Sequence, residues 1–214
     1  MMTRSMTRNA IILSLFAVTT ATLLALTNAM TQDRVACNRQ LALVGLLQQV
    51  MPAERHDNLL LEDRITVRHP LLGRGDHYIY RARQGETPTG LVIQATAPDG
   101  YSGDIQLLVG TTAQGDILAV RVVPPHNETP GLGDKIEVRK SSWITSFDGL
   151  NLENTPAPAW AVDKDGGQFD SFSGATITPR AVVSAVHRAL QYKATEQDLF
   201  ALPADTVLED QCNG

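Results

Sequence analysis

The chain has 214 residues, 43% of them apolar, which suits one domain with a real core plus an appendage. A net charge of −5, a pI near 5.5 and the lack of any basic patch argue against a nucleic-acid partner. The only cysteines, Cys37 and Cys212, sit near the two ends of the part beyond the apolar N-terminus, so no Cys-rich metal or iron–sulfur spacing exists.

From Ala10 to about Asn28 the chain carries no charge and is dominated by Ile11, Ile12, Leu13, Leu15, Phe16, Val18, Leu23, Leu24 and Leu26. A run of roughly 20 such residues is long enough to cross a bilayer. Arg4 and Arg8 precede it without acids, and Asp33 is the first charge beyond. The positive-inside rule then predicts three parts: residues 1–9 in the cytoplasm, a transmembrane helix over 10–28, and a periplasmic domain over 31–214. A cleaved signal peptide ending near Thr27-Asn28-Ala29 is the competing reading, but the apolar run exceeds a typical signal core and favours a retained anchor. In an exported domain Cys37 and Cys212 could pair as a disulfide; two free thiols is the other reading, and both stand.

Leu43, Leu46, Leu47 and Val50 recur at helical spacing before Pro52, predicting an amphipathic helix. Residues 52–90 offer no usable motif. Strands are expected at Tyr78–Arg81, Leu91–Ala95, Ile105–Val109 and Ile117–Val123, the last two joined by a hairpin turn at residues 113–116. Prolines 156 and 158 mark a loop, Ala159–Val162 reads as one further strand, and Gly166-Gly167 as a flexible lead into the segment at Asp170. Val182, Val186, Ala189 and Leu190 predict a C-terminal helix with Thr178 as N-cap and Pro179 in its first position. The fold class is α+β: an N-terminal transmembrane helix, then a mainly antiparallel sheet with helices on one side.

Two segments carry chemistry. Asp170-Ser-Phe-Ser-Gly-Ala-Thr176 presents a hydroxyl among small residues just before a helix start, where phosphate is favoured by unpaired N–H groups and the helix dipole. His126-Asn-Glu128-Thr129-Pro130-Gly131-Leu132-Gly133-Asp134-Lys135 is a turn-rich loop whose glycines permit close backbone approach. Lys135 and Arg180 could each neutralise phosphate, Arg180 being preferred for its place in the helix's first turn. The five histidines form no ligand-like cluster, and His187 reads as solvated. Trp143 and Trp160 read as core residues, Trp143 being the better neighbour for a cofactor. No Gly-x-Gly-x-x-Gly follows a strand, which argues against binding of a free dinucleotide.

The first segment resembles the Asp-x-x-Ser/Thr-Gly-Ala-Thr signature of FMN-binding subunits in two ion-pumping membrane complexes, Rnf and the sodium-translocating NADH:quinone reductase. Asp170, Ser173, Gly174, Ala175 and Thr176 match it. Glu128–Gly133 resembles the Glu-Thr-Pro-Gly-Leu-Gly loop of the same family, and Gly100-Tyr101-Ser102-Gly103 with the strand after it is similar as well. The resemblance spans about Gly100 to Ala189. It implies that a flavin transferase joins FMN covalently, through its phosphate, to Thr176. Asp170, Ser173, Gly174, Ala175, Thr178 and Arg180 would surround the attachment, while Glu128, Thr129, Gly131 and Leu132 pack against the flavin. The short chain and the phrase Gly174–Val183 are more like the Rnf G subunits. On that reading the chain is a redox subunit of the inner membrane with no catalytic site of its own, working with the other Rnf subunits to couple ferredoxin and NAD chemistry to ion translocation. The alternatives are a cofactor-free structural or binding subunit, the equivalent subunit of the quinone reductase, and, weakest, a hydrolase using Ser173, which lacks a nucleophile elbow.

Overall fold

A computed structural model describes residues 2–196 and 198–205. Two units divide the chain, residues 43–207 forming the larger. Helix α1, Met2–Val50, begins in the smaller unit, where residues 6–35 are exposed and form a helix long and apolar enough to span a membrane. The amphipathic segment expected at Leu43–Val50 is the last two turns of this same helix.

The larger unit is built on an antiparallel meander: β1 Arg64–Val67, β2 His77–Gln84, β3 Thr87–Gly100, β4 Gly103–Thr112 and β5 Ile117–Val122, adjacent in sequence order. Alternation along the strands separates two faces. Leu91, Ile93 and Ala95 of β3 join Ile105, Leu107 and Val109 of β4 in the main core, against Val182, Val186 and Ala189 of helix α2, Ile177–Thr195. Val92 and Leu108 point the other way, onto Leu47, Val50 and Met51 at the end of α1. Helices therefore cover both faces, not one as expected, because the apolar stripe ending α1 has a second sheet face to bury.

Two glycines make that docking possible. A Cβ on Gly110 would lie 2.0 Å from the Val50 carbonyl oxygen, and one on Gly90 would meet Thr111 O at 2.3 Å and Met51 Cε at 2.8 Å. Gly110→Ala should push the end of α1 off the sheet and cost about 1–3 kcal/mol, read as a lowered melting temperature. An unchanged melt would mean that this helix end contributes nothing to the domain.

The four expected strands are all present, each longer than its apolar kernel or matching it within a residue. Strand β1 was not foreseen: Arg64-Ile-Thr-Val has four residues and an arginine at its head. It is an edge strand held by β2 on one side, by Arg64 stacked 4.3 Å over the Tyr78 ring, and by Asp205, which accepts from the Thr66 N–H. Ala159–Val162 is not a strand. Residues Ala157–Ala159 form a 3-10 turn, and Val162 makes a single parallel bridge to Phe169. Nor is Gly166-Gly167 a flexible lead. Gly166 closes a turn at φ +86°, and a Cβ on Gly167 would lie 1.9 Å from the Ala161 carbonyl oxygen. Cys212 lies outside the described residues, and with it the question of a Cys37–Cys212 bond.

Candidate functional site

The two chemistry-bearing segments meet at one cleft of about 460 Å³, lined by Tyr101, residues of the Glu128–Gly133 loop, Lys164 and the stretch Gly174–Thr178. Three elements bring them there. The β3–β4 turn supplies Tyr101, the loop after β5 supplies Glu128, Thr129 and Leu132, and the start of α2 supplies Thr176.

Glu128 joins all three. Its buried carboxylate accepts the Ser102 N–H at 3.1 Å on one oxygen and the Thr178 hydroxyl, through a very short hydrogen bond, on the other. Behind it, the Glu128 N–H donates to His126 Nδ1 at 3.4 Å, and His126 Nε2 lies 2.9 Å from Glu137. Burial alone would raise the Glu137 carboxyl, but hydrogen bonds from Arg139 and His126 hold it below the ordinary range. Gly133 packs against this junction, where a Cβ would lie 2.8 Å from Glu128 Oε2 and 3.0 Å from Thr178 Oγ1. The turn before it closes on the Thr129 carbonyl, which accepts the N–H groups of Leu132 and Gly133 at 3.1 and 3.0 Å. Gly131 needs its freedom for a different reason: it adopts φ +77° in open space.

This geometry corrects the expected cap. Helix α2 begins at Ile177, so Thr178 lies inside its first turn, buried and spent on Glu128, and Thr176 occupies the cap position without a side-chain cap bond. Pro179 is the third helical residue rather than the first, still within the turn whose N–H groups have no helical acceptor.

Thr176 is half-buried, and its Oγ1 accepts a hydrogen bond from Lys164 Nζ at 3.0 Å. The preceding motif is braced from behind: Trp143 Nε1 donates to the Asp170 carbonyl at 2.8 Å, and the Trp143 ring meets Phe172 edge-on at 5.1 Å. Trp143 is thus a core residue that supports the motif and does not line the cleft. Gly174 takes φ +79°, turning the chain toward the helix with Leu132 3.8 Å from where its Cβ would be. Asp170 and Ser173 are exposed and stand outside the cleft lining.

Of the two cations expected near a phosphate, neither lines the cleft. Arg180 forms a two-pronged pair with Asp165 at 2.5 and 2.8 Å, and Lys135 stands outside the lining. Lys164 is the cation in the cleft. It is the only basic residue between Lys140 and Arg180, and that isolation is the signal that could have found it. Tyr101, 67% exposed, is the other lining residue that had not been singled out. His187, expected to be solvated, is stacked flat on Trp160 at 5.1 Å, and burial, then Arg188, pushes its imidazole below the usual value.

The FMN-binding domain family matches residues 100–191, which contain every element of this cleft. The RnfG N-terminal region matches residues 1–50. The G subunit of the ion-translocating oxidoreductase complex of Escherichia coli strain K12 is 49% identical over 204 residues, covering 95% of this chain and 98% of that protein. The chain belongs to the RnfG family. The corresponding Pseudomonas aeruginosa PAO1 protein is 47% identical, covering 94% of this chain and 95% of its own length. The N-terminal match and these relatives agree with the resemblance to Rnf read from the Asp170–Thr176 and Glu128–Gly133 segments. In this RnfG chain the cleft described above lies inside the FMN-binding domain.

Proposed function

We propose that the chain is a membrane-anchored electron relay of an Rnf-type complex and carries FMN as a phosphoester on Thr176. The observation that carries this reading is the placement of the Thr176 hydroxyl, bonded to an ammonium, on the wall of a cleft inside the FMN-binding domain. The lining fits the group. A hydroxyl and a cation suit a phosphate, while Tyr101, Leu132 and Ile177 offer flat or apolar surface to a ring system. The volume falls within the range of about 300–1,000 Å³ usual for small-molecule sites.

FMN supplies the redox chemistry, so the chain needs no acid–base pair of its own. Its residues hold and orient. Thr176 fixes the phosphate end, and the Glu128 junction keeps the loop, the β3–β4 turn and α2 in register around it. Exposed Asp170 and Ser173 present the signature to a flavin transferase, with Gly174 and Ala175 keeping the approach free of bulk. Covalent attachment would retain the cofactor outside the cytoplasm. In this reading the other Rnf subunits pass electrons on and off, linking ferredoxin and NAD chemistry to ion movement. Protein made together with its flavin transferase should keep flavin fluorescence after denaturing electrophoresis; fluorescence lost on denaturation would reject covalent attachment.

The orientation is argued from Arg4 and Arg8 ahead of the uncharged span, which place the N-terminus in the cytoplasm and the FMN domain in the periplasm, tethered by α1. A reporter fused after Gly214 should be active only as a periplasmic enzyme. Activity as a cytoplasmic reporter would invert the topology.

Gly131 tests the loop's part in the site. With φ at +77°, Gly131→Val should cost roughly 1–3 kcal/mol in backbone strain and shift the turn that carries Leu132 into the cleft. The expected result is an altered flavin absorbance or reduction potential with the label on Thr176 intact. A folded variant with an unchanged spectrum and potential would remove the loop from the cofactor site.

A further inference from the structure

Lys164 stands in a turn clipped to the attachment motif at three consecutive positions. Asp163 Oδ1 accepts the N–H of Lys164 at 2.8 Å and that of Ser171 at 3.0 Å. Lys164 Nζ donates to Thr176 Oγ1 at 3.0 Å. Asp165 holds the Arg180 guanidinium. The turn itself is fixed by Gly166 at φ +86° and by Gly167, which has no room for a Cβ against Ala161. Both neighbouring carboxylates are thus engaged with the motif or with α2, and the ammonium between them lines the cleft.

We propose that Lys164 is the positioning residue of the modification site. Its ammonium holds the Thr176 hydroxyl on the cleft wall before attachment and pairs with the phosphate charge of the flavin nucleotide once that group is present. Arg180, closer to the motif in sequence, acts through Asp165 by holding the turn. The inference rests on the reading that Thr176 carries FMN, and it adds a phosphate partner that the signature itself does not contain. A charged donor beside a phosphate oxygen is among the stronger hydrogen-bonding pairs, and its worth here is limited by the exposure of the lysine.

The test uses full-length protein produced without flavin transferase, titrated with FMN and with riboflavin, which lacks the phosphate. Wild type should bind FMN more tightly than riboflavin. Lys164→Ala should lose that preference by about tenfold with riboflavin affinity unchanged, and Lys164→Arg should recover most of it. With transferase and its flavin donor added, Lys164→Ala should be labelled about tenfold more slowly, still at Thr176. A purely structural lysine would lower both affinities together and would not be rescued by arginine. If Lys164→Ala keeps the preference for FMN and the wild-type labelling rate, the inference is wrong. It is equally wrong if wild type does not distinguish FMN from riboflavin. Wild type that prefers FMN yet is labelled at another residue would instead overturn the Thr176 reading while leaving the phosphate role of Lys164 in place.

Discussion

Thr176→Ala is expected to abolish covalent flavin while leaving the domain folded. The hydroxyl has no second task in the fold: it makes no side-chain cap bond to α2, and its one hydrogen bond comes from exposed Lys164. Its removal should cost no more than about 0.5 kcal/mol, as for an ordinary surface change. The effect on labelling should be complete, because no ester forms without an oxygen. Thr176→Val, which keeps the shape, should also be blank, whereas Thr176→Ser keeps the nucleophile and should retain flavin. The measurement is in-gel flavin fluorescence per mole of folded protein. Label persisting in Thr176→Ala would move the attachment, with exposed Ser173 the next hydroxyl to examine.

The second large effect is expected at Glu128, and it is one of stability and site geometry together. This carboxylate is buried and accepts from the Ser102 N–H and the Thr178 hydroxyl, so Glu128→Ala leaves two donors without their acceptor and opens space beside Gly133. Each bond to a charged acceptor is worth about 1.5–3 kcal/mol, offset by the relief of a buried charge, giving a net loss of roughly 2 kcal/mol. For a domain of this size that is a fall of about 4–8 °C in melting temperature. Glu128→Gln retains one acceptor oxygen and should lose less. Thr178→Ala should weaken the same junction by roughly 1 kcal/mol, through the Glu128 bond and not through a helix cap. Labelling of Glu128→Ala should drop as well, since three walls of the cleft lose their common tie. A Glu128→Ala protein with wild-type melting and labelling would show that the junction is incidental.

Much of the fold was legible because its signals are local. Leu91–Ala95 and Ile105–Val109 are apolar runs bounded by turn residues, and the turn at residues 113–116 announces a hairpin partner. Strand β1 escaped because four residues with an arginine at their head carry no such signal; tertiary pairing with β2 makes the strand. The helix on the second sheet face was hidden for a related reason. Leu43–Val50 reads as amphipathic, but only the missing side chains of Gly90 and Gly110 reveal what it packs on. At the site, the sequence motifs pointed to Thr176, Thr129, Leu132 and Glu128, which the fold brings to one cleft. The cap was misplaced at Thr178, since a buried hydroxyl bonded 50 residues away looks the same in sequence as a capping one. Arg180 was preferred as the cation, because proximity along the chain suggested a phosphate partner where the fold supplies Asp165. Lys164 came from a separate turn and could be recognised only once that turn was seen lying against the motif.

The central claim is the bond between FMN and Thr176. Full-length protein produced with its flavin transferase should be digested, and the peptide spanning Thr176 fragmented in a mass spectrometer. The account predicts that this peptide carries the mass of FMN less one water, with the fragment series placing it on Thr176. A peptide spanning Thr176 found wholly unmodified, in protein that retains its flavin, would contradict it.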